Sequence, residues 1–285
     1  KTGSPGDKNS HGSSVLRSCR ELVGMDAKVS ISLRHNRWFD RHHTAFMPAT
    51  SHNPEQFGKT PTLYFWVWGI SVLLALIPTV WTTLDLQAAS LFAGPSPAVA
   101  SIGWWWVELI NLYVPAAFRV GIALALVVWL VASFRKQGKP LRLAMAFLVL
   151  AGILGPGAVV NLGFKDHWQR ARPYQVENFG GTQQFTRAAV MTNQCDANCS
   201  FVSGHVACGF FFTSLMLIHR KRKVAWAVTG TLAGWVIGFA RMSDMAHWFS
   251  DALWAYPITL ASSWLVWKAL HWAYAKETSP SRTVG

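Results

Sequence analysis

The chain is 285 residues long, 51% hydrophobic and only 14% charged, against roughly a quarter charged in an ordinary soluble domain. Its 16 Trp and 17 Phe are also too many for a soluble core, and Trp concentrates where lipid meets water. The formal net charge of +13 calls for no nucleic-acid partner, because much of the excess lies in basic links and an N-terminal arm, where each juxtamembrane cation attracts anionic headgroups by roughly 1 kcal/mol.

Residues 1–24 are Ser/Gly-rich, begin without Met and read as an extension ahead of Met25, with no apolar segment after the basic residues to make a signal peptide. Residues 29–57 are basic and His-containing (Arg34, His35, Arg37, Arg41, His42, His43). They read as a basic cytoplasmic flank, with a metal site or a membrane-surface segment as the alternatives. The expected organisation is an arm over 1–60, one helical domain over 61–273 and a cytoplasmic tail over 274–285.

Crossing a hydrocarbon core of about 30 Å takes about 20 apolar residues, and six runs qualify: 61–83, 113–134, 143–164, 206–218, 224–240 and 252–272. The fourth is short and is expected to extend back through Phe201. The predicted fold class is therefore all-α, a six-helix membrane bundle. Arg135, Lys136, Lys139 and Arg142 fill the second link, and Arg220, Lys221, Arg222 and Lys223 fill the fourth. Short loops rich in Lys and Arg stay in the cytoplasm, which puts both termini inside and the first, third and fifth links outside. Gly94-Pro95-Ser96-Pro97 in the first link breaks helix, and Trp104, Trp105 and Trp106 suit an interfacial belt or a wall for lipid entry.

Two of the four cysteines, Cys195 and Cys199, share the third link, where an oxidising compartment permits a disulfide. Asp196 lies between them, yet no His or carboxylate pair at zinc-ligand spacing accompanies them, so no metal is expected. Cys208 and Cys19 are expected to be free thiols.

Three charged clusters stand at the outer ends of these runs. Lys165 and Arg172 are seven residues apart, so a continuous helix would carry them on one face, and Pro173 disfavours helix at Arg172. An ammonium and a guanidinium fork at a span mouth suit phosphoryl oxygens, with snorkelling anchors as the alternative. Ser203, Gly204 and His205 open the fourth run, where a helix N-terminus offers unpaired N–H groups to an anion. His247 and Asp251, four apart, form a base and its orienting carboxylate if both lie on one helix, with a plain helix ion pair as the alternative. Arg241 precedes His247 by six residues, about 240° around a continuous helix, so the chain is expected to turn over 242–246.

The set K-x6-R-P, S-G-H and R-x5-H-x3-D, spread over Lys165 to Asp251, resembles the three-part signature of the type 2 phosphatidic acid phosphatase superfamily, which also includes vanadium haloperoxidases and glucose-6-phosphatase-like enzymes. Val202 departs from it, since the family usually has Pro before Ser-Gly-His. The resemblance implies a hydrolase that uses no metal and no cofactor. His247 would attack phosphorus, Asp251 would orient it, and His205 would protonate the leaving oxygen and then activate water. Lys165, Arg172, Ser203, Gly204 and Arg241 would hold the phosphoryl oxygens as charge develops.

The substrate implied is a phosphorylated lipid, met at the periplasmic face of a bacterial inner membrane. Arg170, His167 and Arg187 add charge around the first cluster and could bind a second phosphate, which favours lipid A. The stretch from Cys195 to His205 looks similar to bacterial lipid A phosphatase relatives. Undecaprenyl diphosphate and phosphatidylglycerophosphate remain alternatives. A vanadate-dependent haloperoxidase is disfavoured by the six runs, and a non-enzymatic transporter or scaffold would not need the His–Asp pair.

Overall fold

A computed structural model describes residues 59–94 and 104–278. The basic, His-containing arm and most of the Gly-Pro-rich link lie outside these residues, so the readings placed there are not addressed. Regular structure among the described residues is helical: α1 (Thr62–Val80), α2 (Thr83–Ser90), α3 (Trp105–Phe134), α4 (Lys139–Gly152, rewound as a π-helix over Ile153–Lys165), α5 (Gly204–Phe210, tightening to 3₁₀ over Phe211–Met216), α6 (Lys223–Ser243) and α7 (Phe249–Thr278).

Four helical segments are long and apolar enough to cross a membrane: Thr62–Val80, Trp105–Phe134, Lys139–Lys165 and Arg220–Ser243. The remaining two predicted runs depart from that standard for different reasons. The fourth starts at Gly204 rather than near Phe201 and makes a short apolar helix through Met216. The sixth, α7, is 30 residues long but less apolar, because it is the central helix of the bundle. Thr259, Ser262 and Ser263 are buried along it, and a helix surrounded by helices does not need a lipid-facing surface. At the other extreme is α3, with only 6% of its apolar window buried. It starts at Trp105 rather than near 113, and Trp106 stacks on Phe239 of α6 at 6.0 Å.

Hydrogen bonds from aromatic side chains tie α1 to α7: the Tyr64 hydroxyl donates to the Leu260 carbonyl at 2.8 Å, Trp68 Nε1 to the Pro257 carbonyl at 3.2 Å, and Trp254 Nε1 back to Thr79 Oγ1 at 2.9 Å. A buried polar contact of this kind needs its partner, since an unpaired group costs roughly 1–3 kcal/mol. In α4 the ladder is rewound where Pro156 lies inside the π segment. Proline lacks the N–H and crowds the preceding turn, and Asn161 Nδ2 donates to the Pro156 carbonyl at 2.7 Å. Glycines bring α5 and α6 together: a Cβ on Gly234 would stand 2.2 Å from Phe210 Cδ1, and one on Gly209 would stand 2.8 Å from the Gly234 backbone.

Candidate active site

The first cluster is not on one helix. Helix ends at Trp168, Gln169 takes a left-handed conformation (φ 46°, ψ 35°), and Arg172 is extended (φ −80°, ψ 157°) before Pro173. The expected shared helical face is therefore replaced by convergence on a loop. Lys165 Nζ donates to Asn198 Oδ1 at 3.0 Å, while Arg172 Nε and Nη2 donate to the Asn198 carbonyl at 3.1 and 2.7 Å. Asn198 lies inside the five-residue loop closed by Cys195–Cys199, which are disulfide-bonded as the spacing allowed. It is held at a positive φ of 50°. Burial pushes the Arg172 guanidinium below its usual range, with Tyr174, Asp251 and Asp244 opposing the change.

Ser203 is the N-cap of α5, with Gly204 and His205 as the first two helical residues, where they were expected. Gly204 is required by close approach, since a Cβ there would meet Asn161 Oδ1 at 2.9 Å. Ser203 is fully buried and its Oγ finds no hydrogen-bond partner among the described residues. His205 Nε2 lies 3.2 Å from the Asn111 carbonyl. A carbonyl only accepts, so Nε2 carries the proton and Nδ1 is the nitrogen left for chemistry.

The third cluster also departs from a single helix, because α6 runs on to Ser243. The turn lies at Asp244–Trp248, with Met245 at a φ of 51°, and His247 stands just ahead of α7 rather than within it. Asp251 sits in the first turn of α7, and its Oδ2 accepts the Trp248 N–H at 2.9 Å, the reciprocal half of a capping box. The same oxygen accepts the Ser200 hydroxyl, and Oδ1 accepts Arg170 Nη1 at 2.6 Å. His247 Nδ1 is 3.6 Å from Asp251 Oδ2. That is ion-pair range and too long for a hydrogen bond. His247 is 2% exposed, and neither ring nitrogen has a hydrogen-bond partner among the described residues.

Electrostatics brings the three clusters to one place. Burial holds the His247 imidazole well below its ordinary titration range, and Arg241, Arg172, Lys165 and His205 each push it lower, so all four lie close enough to act on one ring. Arg241 Nη1 donates to Asn111 Oδ1 at 2.5 Å and to Asp244 Oδ2 at 3.2 Å. Its Nε, like Ser203 Oγ and the His247 ring, finds no partner among the described residues. Three cations around buried, unpartnered polar atoms make a site suited to an anion.

Of the three outlying residues expected to meet a second phosphate, His167 and Arg187 are exposed. Arg170 is not: it is wholly buried, with Nη2 on Asp85 Oδ2 at 2.8 Å and Nε on the Thr186 carbonyl at 2.9 Å. Its donors face inward, so it is an internal cation and not a headgroup contact. Sequence reasoning missed Asp85, Asn111, Asn198 and Ser200. Two of these carried a faint signal: Asp85 is the only acid between Glu55 and Glu108, and Asn111 interrupts an apolar run.

Apolar helices of membrane-spanning length with three cations around a buried His–Asp pair carry the three-part motif, and comparison with known proteins places that motif in a family. The PAP2 superfamily matches residues 143–275. A lipid A 4'-phosphatase of Francisella tularensis subsp. novicida (strain U112) is 39% identical over 132 residues, covering 46% of this chain and 60% of that protein. One of Rhizobium leguminosarum is 30% identical over 211 residues, 67% of this chain and 88% of the relative. One of Rhizobium etli (strain ATCC 51251 / DSM 11541 / JCM 21823 / NBRC 15573 / CFN 42) is 28% identical over 207 residues, 66% and 79%. No solved structure matches the chain significantly. The chain belongs to the PAP2 superfamily.

Proposed function

We propose that this protein removes a phosphate from lipid A at the periplasmic face of the bacterial inner membrane, through a phosphohistidine on His247 and without a metal or other cofactor. The observation that carries the mechanism is the buried imidazole whose Nδ1 faces Asp251 at 3.6 Å, set among Lys165, Arg172 and Arg241. Nε2 is then the nitrogen turned toward phosphorus. Its lone pair forms the N–P bond as the P–O bond to the lipid breaks, and His205, entering the step protonated on both nitrogens, gives the Nδ1 proton to the leaving oxygen while Nε2–H stays on the Asn111 carbonyl. In the second step His205 takes a proton from water, the water oxygen bonds to phosphorus, and the N–P bond breaks to release phosphate. Ser203 Oγ, the Gly204 N–H and the three cations hold the oxygens that gain charge in both steps.

The substrate rests on the relatives, named lipid A 4'-phosphatase, which favours the 4'-phosphate. His167 and Arg187, both exposed, are proposed contacts for the rest of the headgroup. In this reading α5 and α7 complete a six-span bundle with both termini in the cytoplasm. Phosphate release from a panel of lipid A, undecaprenyl diphosphate, phosphatidylglycerophosphate and phosphatidate, using the purified protein, tests it. Lipid A should turn over fastest and lose the 4'-phosphate by mass spectrometry, and preference for another lipid would overturn the substrate.

A further inference from the structure

We propose that Asp85 is a positioning residue for the nucleophile, acting through Arg170 and Asp251. The inference rests on the phosphohistidine reading of His247 and extends it to a part of the chain outside residues 143–275, where the superfamily matches. Asp85 lies on α2, in the segment between the first two long helices.

Arg170 is forked between two carboxylates, with Nη1 on Asp251 Oδ1 at 2.6 Å and Nη2 on Asp85 Oδ2 at 2.8 Å. The side chains of all three are no more than 1% exposed, and Trp248 and Phe185 lie at 5.2 and 5.8 Å from the guanidinium carbon. Two anions share one cation, so the group keeps a single negative charge. In a poorly solvated interior such a charge acts strongly on its neighbours, and the neighbour is His247. Attack on phosphorus places positive charge on that ring, which the residual negative charge offsets. If Asp85 were neutral, Arg170 would balance Asp251 completely and the offset would be lost.

Asp85 also fixes geometry. Its Oδ1 accepts the Ser250 N–H at 2.8 Å, and its Oδ2 accepts the Ser250 hydroxyl at 2.5 Å. The same Ser250 Oγ accepts Arg170 Nη1 at 2.8 Å. Asp85 thereby pins the first turn of α7, which carries Asp251 immediately after Ser250.

The test uses the full chain in detergent with an aryl phosphate as substrate, and with orthovanadate and inorganic phosphate as inhibitors. Vanadate bonded to His247 mimics the pentacoordinate state, whereas phosphate reports ground-state binding alone. Asp85→Asn should lower kcat roughly 10–100-fold, the loss typical when a group one contact removed from a reacting ligand is altered, with KM little changed. The inhibition constant for vanadate should rise by the same factor while that for phosphate stays put. In an Arg170→Gln background, Asp85→Asn should lower kcat by a smaller factor than in the unaltered chain, because only the Ser250 contacts are then left to lose. If Asp85→Asn does not accumulate as folded protein, Ser250→Ala, which removes the hydroxyl shared by Asp85 and Arg170, must show the same split at smaller size. Vanadate and phosphate constants that move together, or an unchanged kcat, overturn the proposal. A parallel His247→Gln variant keeps the two readings separate. If it still turns over, the phosphohistidine falls; if it is inactive while Asp85→Asn is normal, only the role of Asp85 falls.

Discussion

His247 is held as a neutral imidazole by its burial and by the surrounding cations, and this has a definite sign in pH experiments. Because the folded-state pKa is depressed, the unfolded chain takes up a proton near pH 6.5 that the folded chain refuses. This contribution to stability is therefore intact above about pH 6.5 and is lost progressively as the pH falls below it. Melting of the purified protein should shift downward between pH 7.5 and 5, by less in His247→Gln, and the acid limb of kcat/KM assigned to the nucleophile should lie well below 6.5. The two histidines should also separate by leaving group. His247→Ala should abolish turnover of every substrate, whereas the loss in His205→Ala, roughly 10²–10⁴-fold for general acid catalysis, should be partly recovered with an aryl phosphate. Residual aryl phosphatase activity in His247→Ala would remove the nucleophile assignment. The spacing of charged residues made these groups legible in the sequence. The carboxylates and amides that hold them were not, because Asp85 and Asn111 come from distant helices and only the packed bundle brings them to the site.

At the scale of elements, the loop closed by Cys195 and Cys199 presents both oxygens of Asn198 to Lys165 and Arg172. Reduction, or the double change Cys195→Ser and Cys199→Ser, should lower activity several-fold through a raised KM, and a purified protein unaffected by reductant would exclude this role. The α5–α6 contact makes a different prediction. Gly234→Val would force a side chain into Phe210, and overpacking of this kind costs roughly 1–3 kcal/mol, readable as a lower melting temperature in detergent. The apolar runs were visible in the sequence because lipid-length hydrophobicity is a strong signal. Their endings were less so. The helix after Lys165 stops at Gln169, which is left-handed without being glycine, and the rewinding around Pro156 has no periodicity to reveal it.

Across the whole molecule, the proposed orientation makes a labelling prediction. A cysteine introduced at the exposed Thr182 should react with an impermeant thiol reagent from outside the cell, and one at Gln137, in the basic link after α3, should not. The reverse pattern would invert the topology and place the site in the cytoplasm. The all-helical membrane architecture was legible in the composition together with the length and spacing of the apolar runs. The place of α7 at the centre was not, since its Ser, Thr and Trp content lowers its hydropathy and reads as a weaker span, although those residues are what let it pack among the other helices.

The contact of Asn198 with both cations of the first cluster bears on turnover as well as on binding. In the proposed mechanism, a phosphate arriving at this mouth exchanges partners with oxygens the protein already supplies, and one that departs hands the cations back to them. Neither Lys165 nor Arg172 is left stranded when the product goes. Such an exchange narrows the free-energy difference between loaded and unloaded states, which in the proposed cycle favours release of inorganic phosphate.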